Sequence, residues 1–273
     1  MNLGYLLPRL ARHFLPERLT RFLLQRGWII RPGLETREPE CAVERYVNVL
    51  AAHGVSLAGK RVMVFGYGGR FALGVELLRR GATHVVLCDR YAPPDPIRNR
   101  ELLPAAETYL LERQGQVLPR PEFITLNQDD IRAAAERRLF LPVNLVLSTS
   151  VFEHLPGGEM DSITAALAAL TLPEGLHLHF VDLRDHFFKY PFEMLTLSER
   201  TWRGWLNPTS NLNRFRLGDY RGVFEKIFLQ VEITILERDE AAFGRVRRRV
   251  RHEFVTGDEK TDSVTQIQIL ARQ

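Results

Sequence analysis

The sequence predicts an α/β protein: an open, mostly parallel sheet of about seven strands with helices on both faces. Three observations predict it. Short apolar runs alternate with segments of helical period from residue 61 to about residue 185. Glycines at 66, 68 and 69 close the first of these runs. The chain then ends on two strand-like runs with a helical stretch between them.

Residues 1–31 place Leu3, Leu6, Leu7, Leu10 and Phe14, then Leu19, Phe22 and Leu23, at the spacing of two short amphipathic helices broken near Pro16. A helix is expected over 39–54, ending at Gly54, with Val43, Tyr46, Val47 and Leu50 on one face. "RVMVFG" is a buried-strand run, "FALGVELLRRG" a helix closed by Gly81, and "HVVLCDR" the second strand. "PAAETYLLERQG" reads as helix, "EFITLN" as strand and "DDIRAAAERRL" as helix. "VNLVLSTS" follows as strand, "EMDSITAALAALTL" as helix and "LHLHFVDL" as strand. Residues 186–220 fit neither period and form an aromatic, Asn- and Arg-bearing insertion. "FLQVEITILERD" and "SVTQIQILAR" are the last two strands, with helix-like "EAAFGRVRRRVRHEF" between them.

Composition sets the class. In 273 residues, 45% are hydrophobic and 26% charged, which suits a globular chain able to bury a full core. No apolar run approaches the roughly 18–20 residues of a membrane span, and the N-terminus shows no signal-peptide pattern. Cys41 and Cys88 have no metal-ligand spacing. A cytoplasmic, disulfide-free protein is expected. The net charge of +4 is unevenly placed, with basic clusters in residues 1–31 and in "RVRRRVRH" at 245–252. Each cluster reads either as a phosphate-binding surface or as a solvated helix face.

Glycines in the first strand-to-helix turn of a parallel sheet let a ligand approach the backbone, and an acidic residue ending the second strand can hold ribose hydroxyls. Asp89 stands there, 23 residues after Gly66. Phe71 occupies the place of the third glycine that a dinucleotide fingerprint requires, which argues against a nicotinamide dehydrogenase. "NQDDI" sets Asp129 and Asp130 where a carboxylate can meet an adenine amino group or cap a helix.

With these motifs in hand, the chain from about residue 58 to 273 resembles the class I S-adenosylmethionine (SAM)-dependent methyltransferases, and "VFEHL" resembles their small-molecule branch. The resemblance implies a Rossmann-like sheet of order 3-2-1-4-5-7-6 with strand 7 antiparallel. It also implies residues 1–57 as a helical extension or cap, 58–273 as the methyltransferase domain, and SAM as cofactor. Gly66, Tyr67, Gly68 and Gly69 would line the methionine end of the cofactor, Asp89 and Arg90 the ribose, and Asp130 or Asp129 the adenine. Ser148, Thr149 and Ser150 would form the rim of strand 4 below it. Val64 and Phe65 precede the turn where the family has an acidic residue, Arg70 replaces a glycine, and Asn144 replaces an Asp. These departures keep a non-catalytic SAM-binding protein among the readings.

Methyl transfer from a sulfonium needs no acid for its leaving group, so the enzyme positions the acceptor and removes its proton. His154, after strand 4, and Asp185 and His186, after strand 5, are the candidate catalytic groups. Asp185 would orient the His186 ring. Glu153, His154, Asp185 and His186 would suit a metal ion, but nothing in their spacing demands one and none is expected. Tyr190, Trp202, Asn207, Asn211 and Arg214 of the insertion would bind the acceptor, unless the insertion is a small core of its own. The expected acceptor is a small or amphiphilic molecule, methylated at O or N. The N-terminal segment would either touch an anionic membrane or cover the cofactor. A nucleic-acid methyltransferase is the alternative that "RVRRRVRH" suggests, but strand 4 ends without the Asn/Asp-Pro-Pro-aromatic motif, which disfavours it. The sequence sets no oligomeric state.

Overall fold

The computed structural model describes residues 3–13, 38–187, 189–207 and 212–273. Among the described residues, the helices α1 (Leu3–His13) and α2 (Pro39–Ala52) precede the sheet. The alternating region runs β1 (Arg61–Phe65), α3 (Ala72–Arg79), β2 (His84–Cys88), α4 (Pro96–Leu102), β3 (Leu110–Arg113), β4 (Gln116–Pro119) and β5 (Ile124–Asn127). It continues with α5 (Ile131–Arg137), β6 (Val143–Thr149), α6 (Met160–Ala169) and β7 (Thr171–Asp182). The chain closes with α7 (Leu217–Glu225), β8 (Gln230–Arg238), α8 (Glu240–Val246) and β9 (Val264–Arg272).

The seven-stranded sheet has the order β5-β2-β1-β6-β7-β9-β8. With the separate β3–β4 hairpin set aside, this is the expected 3-2-1-4-5-7-6. β9 runs antiparallel to both β7 and β8, while the other neighbours are parallel. Side chains alternate across the sheet. Val62, Val64, Leu145, Leu147, Leu176 and Leu178 face a core shared with Val43, Tyr46 and Leu50 of α2 and Leu73 and Leu77 of α3. Met63, Val146 and Val181 face the other side, against Ile131 and Ala134 of α5, Leu167 of α6 and Tyr220 and Phe224 of α7. Both faces are therefore covered, which is why the central strands read as unbroken apolar runs.

Two expectations fail. Residues 104–115 are not a helix. After α4 and a single turn (Leu103–Ala105) they enter the β3–β4 hairpin, where Arg113 pairs with Gln116. Gln114 and Gly115 both take positive φ, +53° and +74°, which matches the twist of a tight hairpin turn. Leu110 and Val117 bury the hairpin against the core, so tertiary contact outweighs the helical spacing of "AAETYLLERQ". Residues 240–254 likewise form only the two turns of α8, followed by isolated turns at Arg247–Arg249 and His252–Phe254. Both cysteines are free, Cys88 buried and Cys41 exposed. No helix among the described residues is long and apolar enough to cross a membrane.

Candidate active site

The carboxyl ends of β1, β2, β5, β6 and β7 lie along one edge of the sheet, the edge at which open α/β folds place ligands. The β1–α3 turn is bound to β2 through the Gly66 amide, which donates to the Cys88 carbonyl at 2.7 Å. Gly66, Gly68 and Gly69 take φ of +82°, +68° and +81°. A Cβ on Gly66 would sit 2.3 Å from Cγ2 of Val151, and one on Gly69 2.3 Å from the Pro93 carbonyl oxygen. No L side chain fits either place without displacing its neighbour. The turn is clamped by Asn99 of α4, whose Oδ1 accepts from the Phe71 amide at 2.9 Å and whose Nδ2 donates to the Gly69 carbonyl at 3.0 Å. The Asp95 amide donates to the same carbonyl at 2.8 Å. The close helix-to-strand contact that sequence reasoning sought at position 71 is supplied by Gly74, where a Cβ would come 3.3 Å from the Leu87 methyls.

Asp89 ties the glycine turn to the end of β2. Its Oδ2 accepts from the Gly68 amide at 3.0 Å, and its Oδ1 accepts from the amides of Tyr91 and Ala92 at 2.9 and 2.8 Å. Tyr67 turns its side chain inward, 4% exposed and stacked on Phe71, so only its backbone faces the ligand edge. At the end of β5 the two aspartates divide. Asp130 caps α5 by accepting from the Arg132 amide and is paired with Arg90 at 2.7 Å and Arg132 at 2.5 Å. Hydrogen bonds from Arg132 hold its pKa down at about 2. Asp129, next to it, is exposed.

The end of β6 carries the other half of the site. Val64 lies opposite Leu147, so the same register continued places Thr149 beside Gly66. Thr149 Oγ1 accepts from Arg45 at 2.8 Å and is 2.9 Å from the Tyr46 hydroxyl. The Arg45 guanidinium lies 3.9 Å from the Phe180 ring centroid. Sequence reasoning missed Arg45. The signal available was an isolated arginine on the apolar face of α2, one residue before the buried Tyr46. Past β6, the turn Phe152–His154 buries Glu153 to 1% exposure and leaves His154 half-buried. The His154 and His186 rings are 4.7 Å apart at 64°. Burial pushes the Glu153 carboxyl well above its ordinary pKa, with Asp182 adding to the effect and the amides of Glu153 and Asp182 and the Ser150 side chain opposing it.

No family model matches the chain, and no curated protein matches it in sequence. The fold does find solved relatives. A geranyl diphosphate methyltransferase solved with SAM aligns at a TM-score of 0.51 with 12% identity, over 85% of this chain and 84% of that one. Magnesium protoporphyrin IX methyltransferase from Synechocystis PCC 6803, also solved with SAM, aligns at 0.50 with 14% identity, over 94% and 97%. The chain has the fold of the class I SAM-dependent methyltransferases.

Within this methyltransferase fold, several expected site residues move. Ser148 is not on the rim: it is 1% exposed, with Oγ 2.8 Å from Nδ1 of the buried His179. Asp185 does not orient His186. Asp185 is fully buried, with its oxygens accepting from the Tyr5 hydroxyl, from Arg9 and from the Phe187 amide, while His186 is half-buried. The insertion is chiefly a third core. Trp202, 2% exposed, packs with Phe192, Leu195, Leu206 and Phe243, and α1 adds Tyr5 and Leu6. Trp202 and Asn207 both donate to the Leu212 carbonyl, and the buried Arg214 donates to the carbonyls of Met194 and Leu197 and pairs with Glu199. Trp202, Asn207 and Arg214 therefore hold the insertion together instead of lining a pocket. Tyr190 packs edge-on against Tyr5 of α1 at 5.9 Å. Asn211 lies outside the described residues, as do 14–37, with the second expected N-terminal helix.

The basic clusters also change meaning. Arg9 is 8% exposed and bound to Asp185 and the Leu206 carbonyl, so it is not a surface cation. In "RVRRRVRH", Arg247 pairs with Glu259, Arg249 with Glu193 and Arg251 with Glu253, at 2.8, 2.7 and 2.5 Å. A shallow cavity of about 300 Å³, lined in part by Lys60, Asn144, Glu174 and Arg272, opens at the opposite end of β6 and β7 and takes no part in the site.

Proposed function

We propose that this protein is a SAM-dependent methyltransferase that acts at oxygen or nitrogen of a small or lipid-like acceptor. The observation that carries the reading is the glycine turn, with two positions where a Cβ cannot be placed, hydrogen-bonded to Asp89 at the end of β2. A turn built from positive-φ glycines at this edge presents bare backbone, against which the ribose and methionine of a cofactor would lie. When bound, SAM supplies an electrophilic methyl on a positive sulfur. Asp89 would hold the ribose hydroxyls with the lone pairs its three amide bonds leave, and Asp129 would take the adenine amino group because Asp130 is committed to its cap and its two arginines. Arg45, bonded to Thr149, would hold the methionine carboxylate in a charge-assisted pairing.

His154 and His186 form the acceptor end. They stand past β6 and β7, beyond the glycine turn, and they position the acceptor and govern its proton. α1 covers this end, because its anchor, Asp185, is the neighbour of His186. On this reading α1 is a cap over the acceptor site, and α2 belongs to an extension of the domain at 58–273. The nucleic-acid alternative loses support, since three arginines of "RVRRRVRH" are spent on internal ion pairs.

Isothermal titration with S-adenosylhomocysteine, beside NADH as a control, tests the reading. Micromolar binding that Asp89→Ala abolishes is the expected result. A folded protein that binds neither compound, or prefers NADH, overturns it. Positive binding opens an acceptor screen read by a gain of one methyl mass.

A further inference from the structure

Among the described residues, one group of side chains is gathered as metal ligands are: Glu153, His154 and His186, with a ligand atom from each within 4.8 Å of the others. From these three residues we infer a binding site for a divalent first-row transition-metal ion, open to an oxygen of the acceptor.

Independent of that spacing, Glu153 itself points to a ligand. It is 1% exposed. Its Oε1 has a long contact, 3.4 Å, from the Asp182 amide, and its Oε2 has no hydrogen-bond partner among the described residues. Buried carboxylate oxygens are nearly always satisfied, and an unpartnered oxygen on a carboxylate gathered with two imidazoles is an arrangement that an ion completes. The competing carboxylates are removed. Asp182 is held by Arg184 at 2.7 Å and Asp185 by Arg9 and Tyr5, which leaves one carboxylate and two imidazoles.

That donor set selects the ion. Two nitrogens and one oxygen suit Zn²⁺, Fe²⁺, Mn²⁺ or Co²⁺, whereas Mg²⁺ and Ca²⁺ take oxygen shells. Three protein ligands leave a coordination position open, and the half-buried His154 and His186 open it toward the acceptor side. The ion's role, though not the site, rests on the methyltransferase reading. It favours an acceptor that presents a hydroxyl, above all one with a second oxygen beside it that can chelate, as in a catechol or a hydroxy acid. A hydroxyl near such an ion ionises at neutral pH, its proton passing to solvent. An oxygen lone pair then forms the O–CH₃ bond as the C–S bond breaks. The C–S electron pair stays on sulfur, which leaves as a neutral thioether.

The test uses the untagged full chain, stripped with chelator and titrated with Co²⁺ while visible d–d absorption is followed. Zn²⁺ competition supplies the affinity. One equivalent is expected to bind, with the absorption of a four- or five-coordinate nitrogen–oxygen site. His154→Ala and His186→Ala should each weaken binding by at least 50-fold, while His252→Ala, at an exposed histidine elsewhere, should not. Glu153→Gln should weaken it similarly, and if that buried change prevents folding, the two histidine variants decide. S-adenosylhomocysteine affinity is measured in every sample as an independent readout. A folded wild type that binds cofactor product but no Co²⁺, or binds Co²⁺ as tightly without His154 and His186, overturns the metal site and leaves the cofactor reading intact. Metal binding without cofactor binding would do the reverse.

Discussion

His177→Gln isolates a pH-dependent strain that the sheet carries in acid. His177 is fully buried on β7, with Nε2 2.9 Å from Thr171 Oγ1 and the Phe228 ring 4.6 Å away. Burial pushes its pKa down to about 3. In the unfolded chain the same ring titrates near 6.5. Between those values the unfolded state holds a proton that the folded state lacks. Stability is therefore complete above about pH 6.5 and falls as pH drops toward the folded value. The slope is about 1.4 kcal/mol per pH unit, so the step from pH 7.5 to 5.0 removes about 2 kcal/mol. That is a large share of a domain stability of roughly 5–15 kcal/mol. Glutamine keeps an amide at the reach of Nε2 and never charges. Urea unfolding of both proteins at the two pH values gives the comparison. The wild type should lose about 2 kcal/mol more than the variant across the step. Taking the difference cancels groups that do not touch His177, such as Glu153, which acts in the opposite direction, whereas buried His179, 5.6 Å away, acts in the same direction and is coupled to it. Equal losses would show that His177 does not sit neutral and buried.

Arg45→Ala should weaken S-adenosylhomocysteine by about tenfold or more, the loss of a hydrogen bond to a charged group, yet leave 5′-methylthioadenosine, which lacks the carboxylate, unchanged. Equal weakening of both ligands in titration calorimetry would remove the assignment. Gly66→Ala sets a Cβ 2.3 Å from Val151 at φ +82°, so a thermal melt should show a destabilisation of about 1–3 kcal/mol together with weaker product binding. A variant normal in both would mean that the turn is looser than its geometry. Asp130 gains stability above its unfolded pKa near 3.9 and loses it as pH falls to about 2. Solvent screening at this partly exposed side chain limits the effect to about 1 kcal/mol, and Asp130→Asn should flatten acid unfolding in that window alone. Arg9→Met should expose the buried Asp185 charge and speed amide exchange in α1, and adding Asp185→Asn should restore much of the protection. Unchanged exchange in the single variant would show that the ion pair does not anchor the helix.

The sheet and the glycine turn at its carboxyl edge are written locally in the chain. Strand runs such as "RVMVF" and the turn Gly66–Gly68–Gly69 are local: burial on both faces dictates unbroken apolar residues, and positive φ dictates glycine. Asp89 was legible for the same reason, since its place follows from where β2 ends. Tertiary structure decided what side chains far apart in sequence do to one another. Asp185 became an anchor because Arg9 and Tyr5, 176 and 180 residues away, reach it first. Trp202 and Arg214 became core because α1 and α8 close over the insertion. Arg45 reaches the end of β6 only through Thr149, 104 residues on. Glu153, His154 and His186 were visible as residue types, but their convergence depends on two loops meeting beyond β6 and β7, and no local pattern encodes such a meeting. A side chain's conformation answers to its neighbours in sequence, whereas its charge and hydrogen bonds answer to its neighbours in space.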